Sequence, residues 1–377
     1  MTDAEIFDRA VIQLGVGRRL LHNCDYANCA YRQIRINSEA MISSARHHLP
    51  KLPPIYFDFI RNSAINAFAF KSNGKYFIGL TYGTVYMLEL IFSRMLADSR
   101  LFDMVGNPVA EDGNLPPLVG YTPEAYKMYQ SGHTAKPPKT EPRQAYVSEL
   151  FFDAISFLVG HEIAHVTLGH VDYMQSKIGT ALVAEAGWKG IGSTTHQQTI
   201  ERQCMEAQAD MRSVNSAIHS LKLVHEMFKN KKPLWTTSPP SDGFLIFTWA
   251  FAMNTLFRLF GDIRFNPSKL EMETYPPLPL RRAMATNAAY MFVMSNWNTE
   301  IKEKGLHSLK TAMKYTEFAF ATILGEKVST AGLTDAYNPL SHAHGKDLIS
   351  YSVKLQQSLD PFAYEPTFVA SQIEDIT

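Results

Sequence analysis

AYVSELFFDAISFLVGHEIAHVTLGH, running from Ala145 to His170, is the stretch that decides how this chain is read. It contains no proline and is apolar on nearly every side around Leu150, Phe151, Phe152, Ile155, Phe157, Leu158 and Val159, which predicts a helix buried all round. Near its end stands His161-Glu162-Ile163-Ala164-His165, an H-E-x-x-H motif. Two histidines four residues apart on a helix project from the same face, so their imidazoles can bind one Zn²⁺ together. Glu162, about 100° further round, can reach a water in the metal's open position and take its proton. Burying three such groups is costly unless something satisfies them, and a metal does so. The bland alternative is a pair of core histidines bonded to carbonyls, with Glu162 at a surface edge. Gly169 is placed to end the helix.

A third ligand has to come from elsewhere. The metzincin pattern needs Gly three and His six residues after the second histidine. Here Gly169 and His170 lie four and five residues after His165, so that pattern is excluded and His170 reads as a helix-end or supporting residue. Further on, Ile200, Cys204, Ala207, Met211, Val214, Ile218 and Leu221 recur at three- and four-residue steps, which predicts an amphipathic helix. Glu206 and Asp210 flank its apolar stripe and share one side. Glu206 can complete a His₂Glu site, and Asp210 can accept the N–H of a liganding histidine and fix its tautomer. Taken alone, E-x-x-x-D on a helix is usually a solvated face. The preceding H-E-x-x-H segment is what favours the metal reading.

H-E-x-x-H followed by Glu206-Ala207-Gln208-Ala209-Asp210 resembles the gluzincin metallopeptidases, in particular the family of HtpX and the CAAX prenyl proteases. Asn66-Ala67-Phe68-Ala69 and then Gly74-Lys75-Tyr76-Phe77-Ile78-Gly79-Leu80 resemble that family's N-A-F-A strand and the strand after it. Tyr275-Pro276-Pro277-Leu278-Pro279-Leu280-Arg281 resembles its H-P-P-L-x-x-R segment, with Tyr275 standing where the family has His. The resemblance implies that Tyr275 and Arg281 lie in the active-site cleft, where a tyrosine hydroxyl and a guanidinium can both donate to the oxyanion of a tetrahedral intermediate. A chain with H-E-x-A-H-x-x-x-G-H, E-x-x-A-D and no clear membrane span also resembles the Lit-type phage-exclusion peptidases of bacteria. Both resemblances imply a zinc metallopeptidase acting on a protein or peptide, with Glu162 as general base.

Composition sets the outer bounds. The 377 residues, 46% of them apolar, allow a sizeable core. Lys+Arg and Asp+Glu both number 36, so no charge excess points to nucleic acid or an anionic membrane as partner. Cys24, Cys29 and Cys204 form no C-x-x-C pair, which suits a reducing cytosol, and the N-terminus does not read as a signal peptide. Phe244 to Phe260 is the one stretch that could cross a membrane. At 17 residues, interrupted by Asn254 and Arg258, it reads instead as a buried core helix. The expected setting is cytoplasmic.

The rest of the chain organises around the metal motif. Residues 1–53 read as a helical N-terminal segment. Ile55–Ile60, Ile65–Phe70 and Tyr76–Leu80 read as strands, with a hairpin turn at Ser72-Asn73-Gly74-Lys75, and Thr84–Ala97 as a helix. Residues 98–143, rich in proline and glycine, read as a long loop of the kind that serves as a lid. Together 54–230 make the catalytic core, 231–330 a helical C-terminal lobe, and 331–377 an irregular tail. The fold expected is a mostly helical, zincin-like α+β protein with a small antiparallel sheet. The readings left open beside a metallopeptidase are a binding or scaffold protein with a structural zinc site, and a zinc hydrolase acting on a non-peptide amide.

Overall fold

The computed structural model describes residues 1–21, 29–120, 137–179, 182–184, 196–228, 231–237, 240–261, 278–297, 299–326 and 343–365. In chain order these form α1 (Asp3–Gln13), α2 (Ala30–His48), β1 (Ile55–Ile60), β2 (Ala67–Ser72), β3 (Lys75–Thr81), α3 (Tyr82–Leu96), α4 (Glu141–Thr167), α5 (His170–Ile178), β4 (Leu182–Ala184), α6 (His196–Phe228), α7 (Asp242–Phe260), α8 (Leu278–Asn296), α9 (Thr299–Leu324) and α10 (Ala343–Leu359). The protein is mostly helical with one small sheet.

That sheet is mixed, not antiparallel as expected. Its order is β1-β3-β2-β4, with β1 parallel to β3 and both β3 and β4 antiparallel to β2. The hairpin turn forms where two residues with positive φ are needed, Asn73 (φ 49°) and Gly74 (φ 75°). The correction comes from the segment before it. Asn66 donates its backbone N–H to the hydroxyls of Thr81 and Thr84, and Gly83 donates its N–H to the Asn62 carbonyl. Residues 61–66 are thereby tied to the end of β3, so β2 starts one strand position away from β1 and β3 fills the gap.

Alternation along the strands gives the sheet two apolar faces. Phe68, Phe70 and Phe77 meet Phe7, Ala10 and Val11 of α1, which is started by a Thr2–Glu5 capping box. Phe57, Ala69 and Ile78 face the main core, which runs without interruption into α3, α4, α6, α7, α8 and α9. At the start of α4 the buried Arg143 guanidinium donates to the carbonyls of Leu96, Asp98, Leu101, Phe102 and Val105. The first part of the expected 98–143 loop is thus pinned against α3 and α4, and Leu101, Phe102 and Val105 are buried.

Among the described residues two helices, α4 and α7, are long and apolar enough to span a membrane by length and composition, where only 244–260 was expected. Most of each is buried inside the fold. The polar interruptions of α7 have protein partners. Asn254 accepts from Arg282 at 2.5 Å and donates to the Ala250 carbonyl, and Arg258 lies 3.7 Å from Glu317.

The C-terminal residues are not simply irregular, because α10 packs along α6. Its inward face is Tyr351, Leu355 and Leu359, one apolar residue per turn, too sparse a stripe to stand out from the polar residues between. Cys29 is disulfide-bonded, which the reading of the cysteines did not anticipate, and Cys204 is a buried thiol.

Candidate metal centre

Helix α4 carries His161, Glu162 and His165 in its last two turns, and none of the three is exposed to solvent. The two imidazoles face each other with their Nε2 atoms 2.8 Å apart. Just before them, Gly160 lets α6 come close, for a Cβ there would lie 2.8 Å from the Ser213 hydroxyl. That hydroxyl donates to the Phe157 carbonyl at 2.7 Å and fastens the two helices together.

The close approach brings the acidic side of α6 onto the histidines. Glu206 Oε2 lies 3.4 Å from His161 Nε2, and Glu206 Oε1 lies 3.6 Å from His165 Nε2. One ligand atom from each of the three residues falls within 4.8 Å of the others, and all three residues are buried. Adjacent ligand atoms of a tetrahedral zinc site are about 3.3 Å apart, given zinc–ligand distances of about 2.0–2.1 Å. Both carboxylate–imidazole separations match that spacing, and the imidazole pair is closer. Two nitrogens and one carboxylate also form the donor set that suits zinc with a fourth position left over. The residues therefore fit the ion.

Behind the cluster each imidazole is held from its far side. Asp210 Oδ1 lies 2.9 Å from His161 Nδ1. Arg281 grips the same carboxylate with two bonds, Nε to Oδ2 at 2.8 Å and Nη2 to Oδ1 at 2.7 Å. Its Nη2 is also 3.6 Å from Glu206 Oε2, and its guanidinium lies over the Phe257 ring, 5.4 Å from the centroid. Burial works against the Asp210 charge, but the Arg281 cation and the bonds from His161 and Arg281 outweigh it, holding the carboxyl below its usual range.

His165 is backed differently. Its Nδ1 lies 2.9 Å from Nδ1 of His170, the first residue of α5. Burial, helped by the charge of His161, pushes the His170 pKa down to about 3 against the raising effect of Gln208. Burial, with His161, His170 and Arg281 adding repulsion, also depresses His165 well below the ordinary imidazole value. In both rings burial favours the neutral form, and a neutral ring is what metal ligation requires.

The structure thus brings together His161, His165, Glu206 and Asp210, with Glu162 buried on the same turn of α4 and Arg281 bonded to Asp210 at the back of the cluster. Tyr275 lies outside the described residues. Sequence reasoning left His170 without a partner and passed over Gln208, which accepts from His170. A glutamine between two acidic residues carries no signal of its own, and only the fold shows that it turns toward α5.

Comparison with known proteins gives one family. The model described as Peptidase U49 matches residues 100–289, which contain α4, the whole of α6 and Arg281. Among curated proteins, and among solved structures, none matches the chain significantly.

Proposed function

This chain belongs to the Peptidase U49 family, and on that premise we propose that it is a zinc-dependent metalloendopeptidase of gluzincin type. One observation carries the reading: the ligand atoms of His161, His165 and Glu206 converge, buried, beside a glutamate on the same helix turn. His161, His165 and Glu206 would hold the ion. When bound, zinc supplies Lewis acidity, which lowers the pKa of water towards about 7 and polarises a carbonyl.

The protein's own groups do the rest. Glu162 takes the proton of the attacking water and delivers it to the leaving amine. Asp210 accepts a hydrogen bond from the His161 Nδ1–H, so Nε2 keeps its lone pair for the metal. Arg281 acts as a positioning residue, because its two bonds keep Asp210 ionised and in place. Tyr275 is proposed as a donor to the oxyanion, the part that the H-P-P-L-x-x-R resemblance implies. An extended peptide would add to an outer strand of the sheet by backbone hydrogen bonds. The Lit-type resemblance makes a cytoplasmic protein substrate and a phage-exclusion role the biological setting we propose.

The test is a comparison of new protein N-termini in cells expressing the wild type or Glu162→Gln at equal levels. New termini that depend on Glu162 are expected. Identical sets of termini in the two cultures would refute the reading.

A further inference from the structure

The C-terminal segment lies beyond the residues matched by the family, yet it reaches the histidines through an unbroken line of hydrogen bonds. We propose that residues 343–365 are a working part of the metal centre, and that Gln208 and His170 transmit their hold to the ring of His165. The inference rests on the zinc reading above.

The direction of every bond in the line follows from the first. His165 turns Nε2 toward His161 and Glu206, so Nδ1 faces His170. Two imidazole nitrogens 2.9 Å apart bond only if one carries the proton and the other does not. A His165 that ligates through Nε2 has its proton on Nδ1, so His170 Nδ1 is the acceptor. The His170 proton is then on Nε2, which donates to Gln208 Oε1 at 3.1 Å. With its oxygen so placed, the Gln208 amide nitrogen faces the Ser352 carbonyl at 3.4 Å and Gln356 Oε1 at 3.3 Å, both on α10. Reversing the Gln208 amide would set donor against donor at His170. α10 therefore selects the amide orientation that selects the His165 tautomer. Where His161 has a carboxylate behind it, His165 has this relay.

The segment is fastened where such a role needs it. The backbone N–H groups of Tyr364 and Glu365 donate to the Thr167 carbonyl, the last of α4, at 2.9 and 3.2 Å. Helix-end carbonyls lack partners within the helix, and here the chain's distant end supplies them. Gly169, at φ 79°, leaves room for this crossing, since a Cβ would sit 2.6 Å from the Phe362 carbonyl carbon. Glu365 pairs with Arg212 on α6 at 2.7 Å, and the Tyr364 hydroxyl lies 2.8 Å from that of Tyr76 on β3. Leu355 and Leu359 anchor α10 in the core. The strap spans α4, α5, α6 and the sheet at the turn between His165 and His170.

The experiment measures zinc affinity of the full-length protein by chelator competition, with the visible spectrum of the Co²⁺ form as a report on ligand geometry. Gln208→Met removes the acceptor at nearly constant volume. It is expected to weaken zinc about 10- to 100-fold, as loss of a histidine's supporting partner typically does, and to shift the Co²⁺ bands. Gln208→Glu restores an acceptor for His170, and Gln356 can turn its amide to donate to it, while the second oxygen faces the Ser352 carbonyl, so affinity and spectrum should return part of the way toward wild type. Gln356→Leu, on a half-buried position, should shift both in the same direction by less and decides the matter if Gln208→Met fails to fold. Unchanged affinity and spectrum in these variants, or no rescue by Gln208→Glu, would overturn the inference and leave the metal site standing. A wild type that binds no zinc would overturn both.

Discussion

Arg281 and Arg282 are neighbours on α8, both almost wholly buried, and they serve two different junctions. Arg281 points into the contact of α4, α6 and α8, where it grips Asp210 and approaches Glu206. Arg282 points into the contact of α7, α8 and α9, where it donates to Asn254 Oδ1, Glu317 Oε1 and the Met313 carbonyl at 2.5–2.7 Å. In both places a buried cation is satisfied by oxygen, which is all that burial demands. The first junction holds more than that demand requires, namely imidazoles and a second carboxylate converging on one point. Buried charge alone marks architecture. A surplus of metal-competent groups marks chemistry.

The comparison can be broken from either side. The largest effect is expected at the first junction, where Glu162→Gln should cut hydrolysis about 10²- to 10⁴-fold while zinc content and melting temperature stay at wild-type values. Comparable turnover of a verified substrate by this variant would remove Glu162 from the mechanism. At the second junction Arg282→Met leaves Glu317 with only Arg258 among the described residues, at 3.7 Å, and takes a donor from Asn254 Oδ1 and the Met313 carbonyl, which should cost about 1–3 kcal/mol of stability in denaturant unfolding. The folded fraction should still bind zinc with unchanged affinity. A weakened zinc site there would mean that the two junctions are not independent.

Asp210→Ala sharpens the comparison further. It should lower zinc affinity about 10- to 100-fold, short of the loss caused by removing a ligand. A loss equal to that of Glu206→Ala would place Asp210 among the ligands. The smallest effect is expected from a third buried cluster, Asp58 held by Arg19 and Arg35 at 2.5 Å each and by the Tyr56 hydroxyl at 2.7 Å. Burial opposes the Asp58 charge, but the Arg19 bond and the Arg35 charge outweigh it and keep its carboxyl below the ordinary value. Its stabilising contribution is therefore complete above the unfolded carboxylate pKa of about 3.9 and is lost as pH falls through the depressed folded value. Asp58→Asn should flatten the acid limb of a stability–pH curve without touching zinc affinity at neutral pH. An unchanged acid limb would show that Asp58 does not contribute to it.

The parts of this molecule legible from sequence are those with a strong local period. The apolar run before His161 marks α4, Gly169 its end, and the four-residue steps from Ile200 to Leu221 mark α6. The spacing of His161 with His165, and of Glu206 with Asp210, places each pair on one helical face, and these pairs meet. Pairings decided at long range are not legible in this way. The parallel β1–β3 contact depends on where residues 61–66 are tied, and β4 is too short to show alternation. The His170–Gln208–α10 line depends on residues more than a hundred positions apart. Arg281 was singled out through resemblance alone, and its partner Asp210 became visible only when α8 was placed against α6.

Every role above depends on one zinc ion held by His161, His165 and Glu206. The decisive measurement is metal analysis of the wild type, His161→Ala, His165→Ala and Glu206→Ala, purified side by side and dialysed against a weak chelator. About one zinc per chain is expected in the wild type, as a single His₂Glu site holds one ion. Marked loss is expected in all three variants. A wild type without zinc, or stoichiometric zinc retained in the histidine variants, would contradict the assignment.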